Sequence, residues 1–142
     1  MGLTFLRELN DVLVGKQLDF INKTTDDQFL TFVTDEGDGL PHTYGFAVRG
    51  TETARISAVI NTTYGLGYKV AAVSMLRFDS TTRITLIMDQ DERGGSERIN
   101  IDVKCGDDGY APVLRFVEPA QYPESALYIQ NVRTDYEEYA AA

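Results

Sequence analysis

The sequence predicts a mainly β domain, an antiparallel β-sandwich or barrel of about eight strands with a short N-terminal helix. The first observation is a pair of alternating apolar and polar segments, 83–88 and 98–104, separated by a polar loop that contains Gly94 and Gly95. Such alternation on both sides of a glycine-containing loop is typical of a β-hairpin with one buried face. The second observation is that further strand-like segments follow at near-regular spacing without intervening helices. This spacing favours a sandwich or barrel over an α/β fold.

The alternation in the central hairpin also predicts which of its side chains face the core. Side chains two positions apart lie on the same face of a strand, so one apolar set from each strand is expected inside. The predicted inward-facing residues are Ile84, Leu86, Met88, Ile99, Ile101 and Val103. The polar residues between them, including Asn100 and Asp102, are expected on the outer face.

The chain of 142 residues is long enough for one domain with its own core. We expect an N-terminal helix at 3–14, a β core at 16–118 and a C-terminal extension at 119–142. The helix is predicted because apolar residues recur at helical spacing and Gly15 follows as a C-cap. Its apolar stripe consists of Phe5, Leu6, Leu9, Val12 and Leu13. The stripe is expected either to cover the sheet of its own chain or to dock on a neighbouring subunit.

The remaining strands are predicted from short runs of β-branched and aromatic residues between turn-forming segments. The predicted ranges are 17–22, 28–34, 42–49, 54–63, 69–78 and 113–117. The glycines at 65 and 67 are interpreted as a hairpin turn. Pro119 and Pro123 end the strand region, and residues 126–132 fit either a strand or a helix. The spacing of Thr134 and Glu137 matches a capping box, which predicts a possible short helix over 135–142.

Composition and charge limit the classes of partner that the chain can bind. The chain has 13 basic and 22 acidic residues, a net charge of −9, so binding to nucleic acid is not expected. No apolar run approaches the length of a membrane span, so we expect a protein that does not bind membranes. No secretion signal is recognisable, so we expect the protein to be cytoplasmic, either free or assembled in a particle. Cys105 and His42 are the only residues of their kinds, which excludes an internal disulfide and a structural zinc site.

No segment carries a complete catalytic or cofactor-binding motif. The segment 89–94 begins like a calcium-binding loop, but Arg93 and Asn100 stand where that loop requires oxygen ligands and a glutamate. Gly65 and Gly67 match part of a dinucleotide-binding fingerprint, but the third glycine is missing. We therefore expect no catalytic residue, no cofactor and no metal ion, including at Asp89 and Asp91.

Tyrosines crowd the C-terminal extension, and tyrosine is enriched where a side chain is half buried, as at protein interfaces. Together with the helix, they give the candidate interface residues Phe5, Leu9, Leu13, Tyr122, Tyr128, Tyr136 and Tyr139. These features predict a non-enzymatic assembly subunit of a homo-oligomeric particle, such as a phage capsid or tail component, that contacts itself and other protein subunits. The alternative is an acidic binding or inhibitor protein, either a mimic of the phosphate backbone or a small-ligand binder, that acts on a basic partner.

Overall fold

The structure, a computed structural model, describes residues 2–49, 53–89, 96–104 and 113–131. Helix α1 spans Gly2–Leu13, and a single helical turn, α2, spans Thr62–Gly65. The strands are β1 Gln17–Thr24, β2 Phe29–Asp35, β3 Pro41–Arg49, β4 Arg55–Ile60, β5 Lys69–Phe78, β6 Thr81–Asp89, β7 Ser96–Lys104, β8 Val113–Val117 and β9 Ile129–Asn131. Two short 3-10 segments, Pro119–Gln121 and Glu124–Tyr128, precede β9. None of the helices in these described ranges is long and apolar enough to cross a membrane.

The predicted fold class is confirmed, because eight antiparallel strands and an N-terminal helix make up most of the described chain. The central hairpin is the regular ladder between β6 and β7, with Ile84 opposite Ile101 and Leu86 opposite Ile99. All six side chains predicted to face inward are buried, as the alternation requires. The inward face of both strands was therefore predicted correctly from the period of two alone.

The strands form one sheet in the order β4-β7-β6-β5-β1-β2-β3-β8, and β9 pairs with the far end of β1. Between β5 and β1 the ladder is a single residue pair, Gln17 with Lys69. The sheet thus has two halves: a front half of β4, β7, β6 and β5, and a back half of β1, β2, β3 and β8 with β9. Inward side chains of both halves belong to one hydrophobic core, so the two halves face each other across it.

Helix α1 closes the core where the two halves leave a gap, and it lies against β5 and β8. Leu9 and Leu13 are fully buried, and Phe5 contacts Phe46 edge to face at 5.8 Å between ring centroids. The helix ends at Leu13, and Gly15 follows with a φ of 86° and donates its N–H to the carbonyl of Val70. Of the two arrangements expected for this helix, the structure shows the one in which it covers its own sheet.

The segment after β4 differs from the prediction. A strand was expected over 54–63 and a glycine turn after it, but β4 ends at Ile60 and α2 follows. Asn61 adopts a left-handed conformation with a φ of 70°, which asparagine tolerates better than most residues, and this reverses the chain direction. The helical turn packs tightly on β7, because a Cβ at Gly65 would lie 2.6 Å from the side chain of Ile99. Glycine is therefore needed at position 65 so that the helical turn can pack on β7.

The C-terminal extension is partly described. The segment predicted as either strand or helix contains both a 3-10 segment and the short strand β9. The possible helix over 135–142, the tip of the central hairpin at 90–95 and Cys105 lie outside the described residues.

Candidate interaction surfaces

The candidate interface residues of α1 lie inside the chain's own core. Phe5 is 4% exposed, and Leu9 and Leu13 are 0% exposed. No partner can reach these three side chains while α1 holds this position. The exposed surfaces described below do not include them.

The candidate tyrosines occupy different positions. Tyr122 packs on the outer face of the back half, 5.0 Å from the ring of Phe29 between centroids. A Cβ at Gly45 would lie 2.8 Å from the same tyrosine ring, so glycine is needed beneath it. Tyr128 is 67% exposed, whereas Tyr136 and Tyr139 lie outside the described residues. Of the predicted interface residues that the structure describes, Tyr128 is the one that offers a large exposed side chain.

The outer face of the front half, which we call the basic face, differs in charge from the rest of the chain. Register across β5, β6, β7 and β4 places alternate residues of each strand on this face. Its basic residues are Arg55, Lys69, Arg83, Arg98 and Lys104, and its acidic residues are Asp89 and Asp102. In the described parts of these four strands, five bases against two acids give this face a net charge of +3, on a chain whose net charge is −9.

An ion pair organises the centre of the basic face. Arg83 donates two hydrogen bonds to Asp102, from Nε to Oδ1 at 2.7 Å and from Nη2 to Oδ2 at 2.9 Å. These hydrogen bonds raise the pKa of the Arg83 guanidinium. The same guanidinium lies 5.0 Å from the ring centroid of Phe78, where it makes a cation–π contact. The pair holds Arg83 in one orientation, and its side chain remains about one third exposed.

Exposed apolar side chains accompany this ion pair on the basic face. Leu76 lies opposite Arg83 and is 62% exposed, and Phe78 is 38% exposed two positions along β5. Ile60, at the end of β4, is 39% exposed on the same face. A face that combines fixed arginine, aromatic and aliphatic groups resembles in composition the centre of protein interfaces.

The outer face of the back half is mixed in charge. Tyr122 packs on this face over Gly45, and the register of β3 and β8 places Arg115 on the same side of the sheet. The segment 118–131, which follows β8, includes Glu118 and Glu124 but no lysine or arginine. Burial, followed by the nearby charge of Glu118, raises the pKa of the Tyr122 hydroxyl. Leu127 is 79% exposed beside Tyr128, in a 3-10 segment that lies against β1.

A third cluster joins the β2–β3 loop to the start of β1. Glu36 accepts contacts from three groups: Lys16 Nζ at 3.0 Å, the Tyr44 hydroxyl at 2.9 Å and His42 Nδ1 at 3.1 Å. His42 Nε2 lies 2.7 Å from Asp38 Oδ2, so both ring nitrogens face carboxylates. Hydrogen bonding to Asp38 raises the pKa of the His42 imidazole, and hydrogen bonds from Lys16 and Tyr44 lower the pKa of Glu36.

A groove of about 330 Å³ adjoins this cluster. Its lining consists of Gly15, Lys16, Gln17, Asp35, Glu36, Gly37 and Lys69. Two lysines face two carboxylates there, so the groove has no net charge with which to select an anion or a cation. In the described ranges, no group of three or more histidine, cysteine, aspartate or glutamate residues is arranged to hold a metal ion.

Comparison with known proteins found no matching family model, no matching curated protein and no matching solved structure. The surfaces must therefore be interpreted from their own chemistry.

Sequence reasoning missed the basic face. The signal was present, because Arg83, Arg98 and Lys104 occupy the outward positions of the predicted hairpin. It became visible once the pairing of β7 with β4 and β6 with β5 placed these residues on one surface.

Proposed function

We propose that the protein is a non-enzymatic subunit that assembles with copies of itself, as the subunits of a phage capsid or tail do. The observation that carries this proposal is the pair Leu76 and Phe78, exposed on one face of β5. Apolar groups beside a fixed Arg83 gain free energy when a second surface removes them from water. A subunit of a repeating particle needs such a surface.

The free edge of β5 supports the same proposal. β5 pairs with β6 along its whole length, whereas on its other side it meets β1 at Lys69 and a single bridge from Val14 at Val70. Beyond Val70, that edge has no strand partner among the described residues. Unpaired strand edges are sites where a second chain can add, and soluble proteins usually protect or occupy them.

In this geometry the ring of His42 is not available as a general base. It is the chain's single histidine, and both of its ring nitrogens lie within 3.1 Å of a carboxylate oxygen. A ring whose two nitrogens both donate protons has no lone pair to accept one from a substrate.

The test compares Leu76→Asp with the wild-type chain by size-exclusion chromatography with light scattering over a range of concentrations. We expect the wild-type chain to associate and the variant to associate about tenfold or more weakly, because the substitution places a charge in an apolar contact.

Leu40→Asp is the matched control, since Leu40 is also 62% exposed but lies in the β2–β3 loop and not on β5. It is expected to associate like the wild-type chain. A wild-type chain that stays monomeric and captures a basic protein would instead support the acidic inhibitor that is the alternative interpretation. Equal loss of association in both variants would contradict the proposed surface.

A further inference from the structure

We infer that the basic face of one subunit binds the segment 132–142 of a neighbouring copy. This inference rests on the proposed self-assembly and deepens it, because it names the occupant of the basic face. Residues 132–142 follow β9 and lie outside the described residues. Their sequence complements the basic face both in charge and in aromatic content.

One end of the basic face concentrates positive charge and exposed apolar side chains. Two adjacent cross-strand rows there contain three basic residues, one acidic residue and the two exposed apolar residues of β5. They are Arg55, Lys104 and Phe78 in the first row, and Arg83, Asp102 and Leu76 in the second. Three bases against one acid give this end of the face a net charge of +2. A well-matched occupant therefore supplies both negative charge and apolar or aromatic groups.

Part of this positive charge has no partner within the described residues. Arg83 is bound to Asp102 by two hydrogen bonds. Lys104 is exposed, and no ion pair or side-chain hydrogen bond joins it to another residue that the structure describes. The same is true of Arg98, which lies further along the outward side of β7. Both side chains can therefore bind carboxylates of another chain without breaking a contact of their own among those residues.

The segment 132–142 has the composition that this end of the face favours. Three acidic residues against one basic residue give the segment a net charge of −2, and two tyrosines stand among the acids. These residues are Arg133, Asp135, Tyr136, Glu137, Glu138 and Tyr139. Tyrosine rings can cover exposed apolar groups such as Leu76 and Phe78, and they can also lie against a guanidinium. The segment thus supplies negative charge and aromatic contact area within five positions.

The acidic β2–β3 loop matches the basic face less well. Glu36 is already paired with Lys16 at 3.0 Å, and Asp38 is paired with His42 at 2.7 Å. Carboxylates that are bound within their own chain must give up these contacts before they can bind a neighbour, which offsets the gain. The segment 132–142 is therefore the occupant that we favour.

The symmetry of this contact determines the kind of assembly. A contact between two copies of the same surface closes at a dimer, whereas a contact between two different parts of the chain generates a ring or an open filament. The basic face and the segment 132–142 are different parts of the chain. Their contact therefore suits a particle that contains many copies of one subunit.

The experiment compares full-length variants by analytical ultracentrifugation. The first, which we call the neutral-segment variant, combines Asp135→Asn, Glu137→Gln and Glu138→Gln. These substitutions nearly preserve the size of each side chain and remove its charge. We expect the variant to associate about tenfold or more weakly than the wild-type chain, because the basic face loses its charged partners.

The matched control removes the charge of three exposed acids that lie elsewhere, through Asp11→Asn, Glu118→Gln and Glu124→Gln. Each triple variant has three negative charges fewer than the wild-type chain, so the two variants have equal net charge. Because a less negative chain repels its own copies less, we expect the control to associate at least as strongly as the wild-type chain. The two variants are thus expected to change association in opposite directions.

A mixture of variants tests whether the contact joins different copies. Leu76→Asp alters the basic face and keeps the segment 132–142, whereas the neutral-segment variant has the reverse combination. We expect each variant alone to be monomeric at concentrations where the wild-type chain associates. Mixed in equal amounts, they are expected to form complexes of two chains and no larger ones, because each pair has one intact face and one intact segment.

The outcomes separate this inference from the proposed function. If the wild-type chain is monomeric at every concentration, the proposed self-assembly fails and this inference fails with it. If the wild-type chain associates and the neutral-segment variant associates as strongly as the control, the segment is not the occupant although self-assembly stands. A mixture that stays monomeric would show that the segment of one copy does not bind the face of another. Nucleic acid that copurifies with the wild-type chain and is lost in Leu76→Asp would show a different occupant, and would also overturn the inference.

Discussion

His42 illustrates how a single exposed residue can be fixed by its neighbours. Its ring lies between Asp38 and Glu36, so both contacts are hydrogen bonds when both ring nitrogens are protonated. The charged groups that act on the ring are these two carboxylates, which raise its pKa, and Lys16, which lowers it. The positions of the two carboxylates thus fit a His42 ring that is protonated on both nitrogens.

The first prediction at the residue scale is a pH dependence. Because the pKa of folded His42 is raised above its unfolded value of about 6.5, its stabilising contribution is complete below that pH and is lost as pH rises through the folded pKa. Proton NMR can measure this titration without ambiguity, since the chain has one histidine. We expect a pKa above about 6.5 for the wild-type ring and a lower value in Asp38→Asn.

Glu118→Gln is the control for this titration, because Glu118 follows β8 and is not among the groups that act on His42. A ring that titrates identically in the wild-type chain and in Asp38→Asn would show that the contact with Asp38 is absent in solution.

At the scale of elements, the sequence predicted the strands well where one face is buried and the alternation is complete. The range of β5 was predicted to the residue, and the inward set of the central hairpin was correct. The turn α2 was missed because a single left-handed residue, Asn61, and the packing of Gly65 on Ile99 determine it. Such tertiary contacts leave no periodic signal in the sequence.

The candidate surfaces were less predictable than the strands. The apolar stripe of α1 indicated a buried helix face, but the pattern is the same whether the chain's own sheet or a partner covers it. Tyr122 and Tyr128 were predicted equally as interface residues, although Tyr122 packs on Phe29 and Tyr128 faces solvent. Only the arrangement of the C-terminal segment on the back half distinguishes them.

The prediction at this scale concerns the central hairpin. Ile101 is fully buried, and we expect Ile101→Ala to lower the free energy of unfolding by about 2–5 kcal/mol, because the substitution leaves a cavity. Chemical denaturation followed by circular dichroism can measure the change.

Ile60→Ala is the matched control for the cavity, since Ile60 lies on the neighbouring strand β4 and is 39% exposed. We expect it to cost no more than about 1 kcal/mol. Equal costs for the two substitutions would mean that Ile101 is not in the core.

For the whole molecule, the main feature is the separation of charge. A chain with a net charge of −9 repels its own copies on average, so association requires a surface that departs from the average. The basic face is such a surface, and its charges act over a distance that salt shortens.

We therefore predict that self-association weakens as sodium chloride is raised from about 0.05 M to about 0.5 M, because screening weakens the attraction between the basic face of one copy and the acidic remainder of another. Light scattering at fixed protein concentration can measure this change. Association that increases with salt would indicate a contact dominated by apolar burial.

The position of α1 has a consequence for how the protein is made. The helix leaves the ribosome before the strands it lies against, since β5 and β8 begin at residues 69 and 113. Its apolar stripe must therefore stay exposed until most of the chain has been translated. The nascent chain is most vulnerable to aggregation and most available to chaperones during that interval, before β8 has emerged.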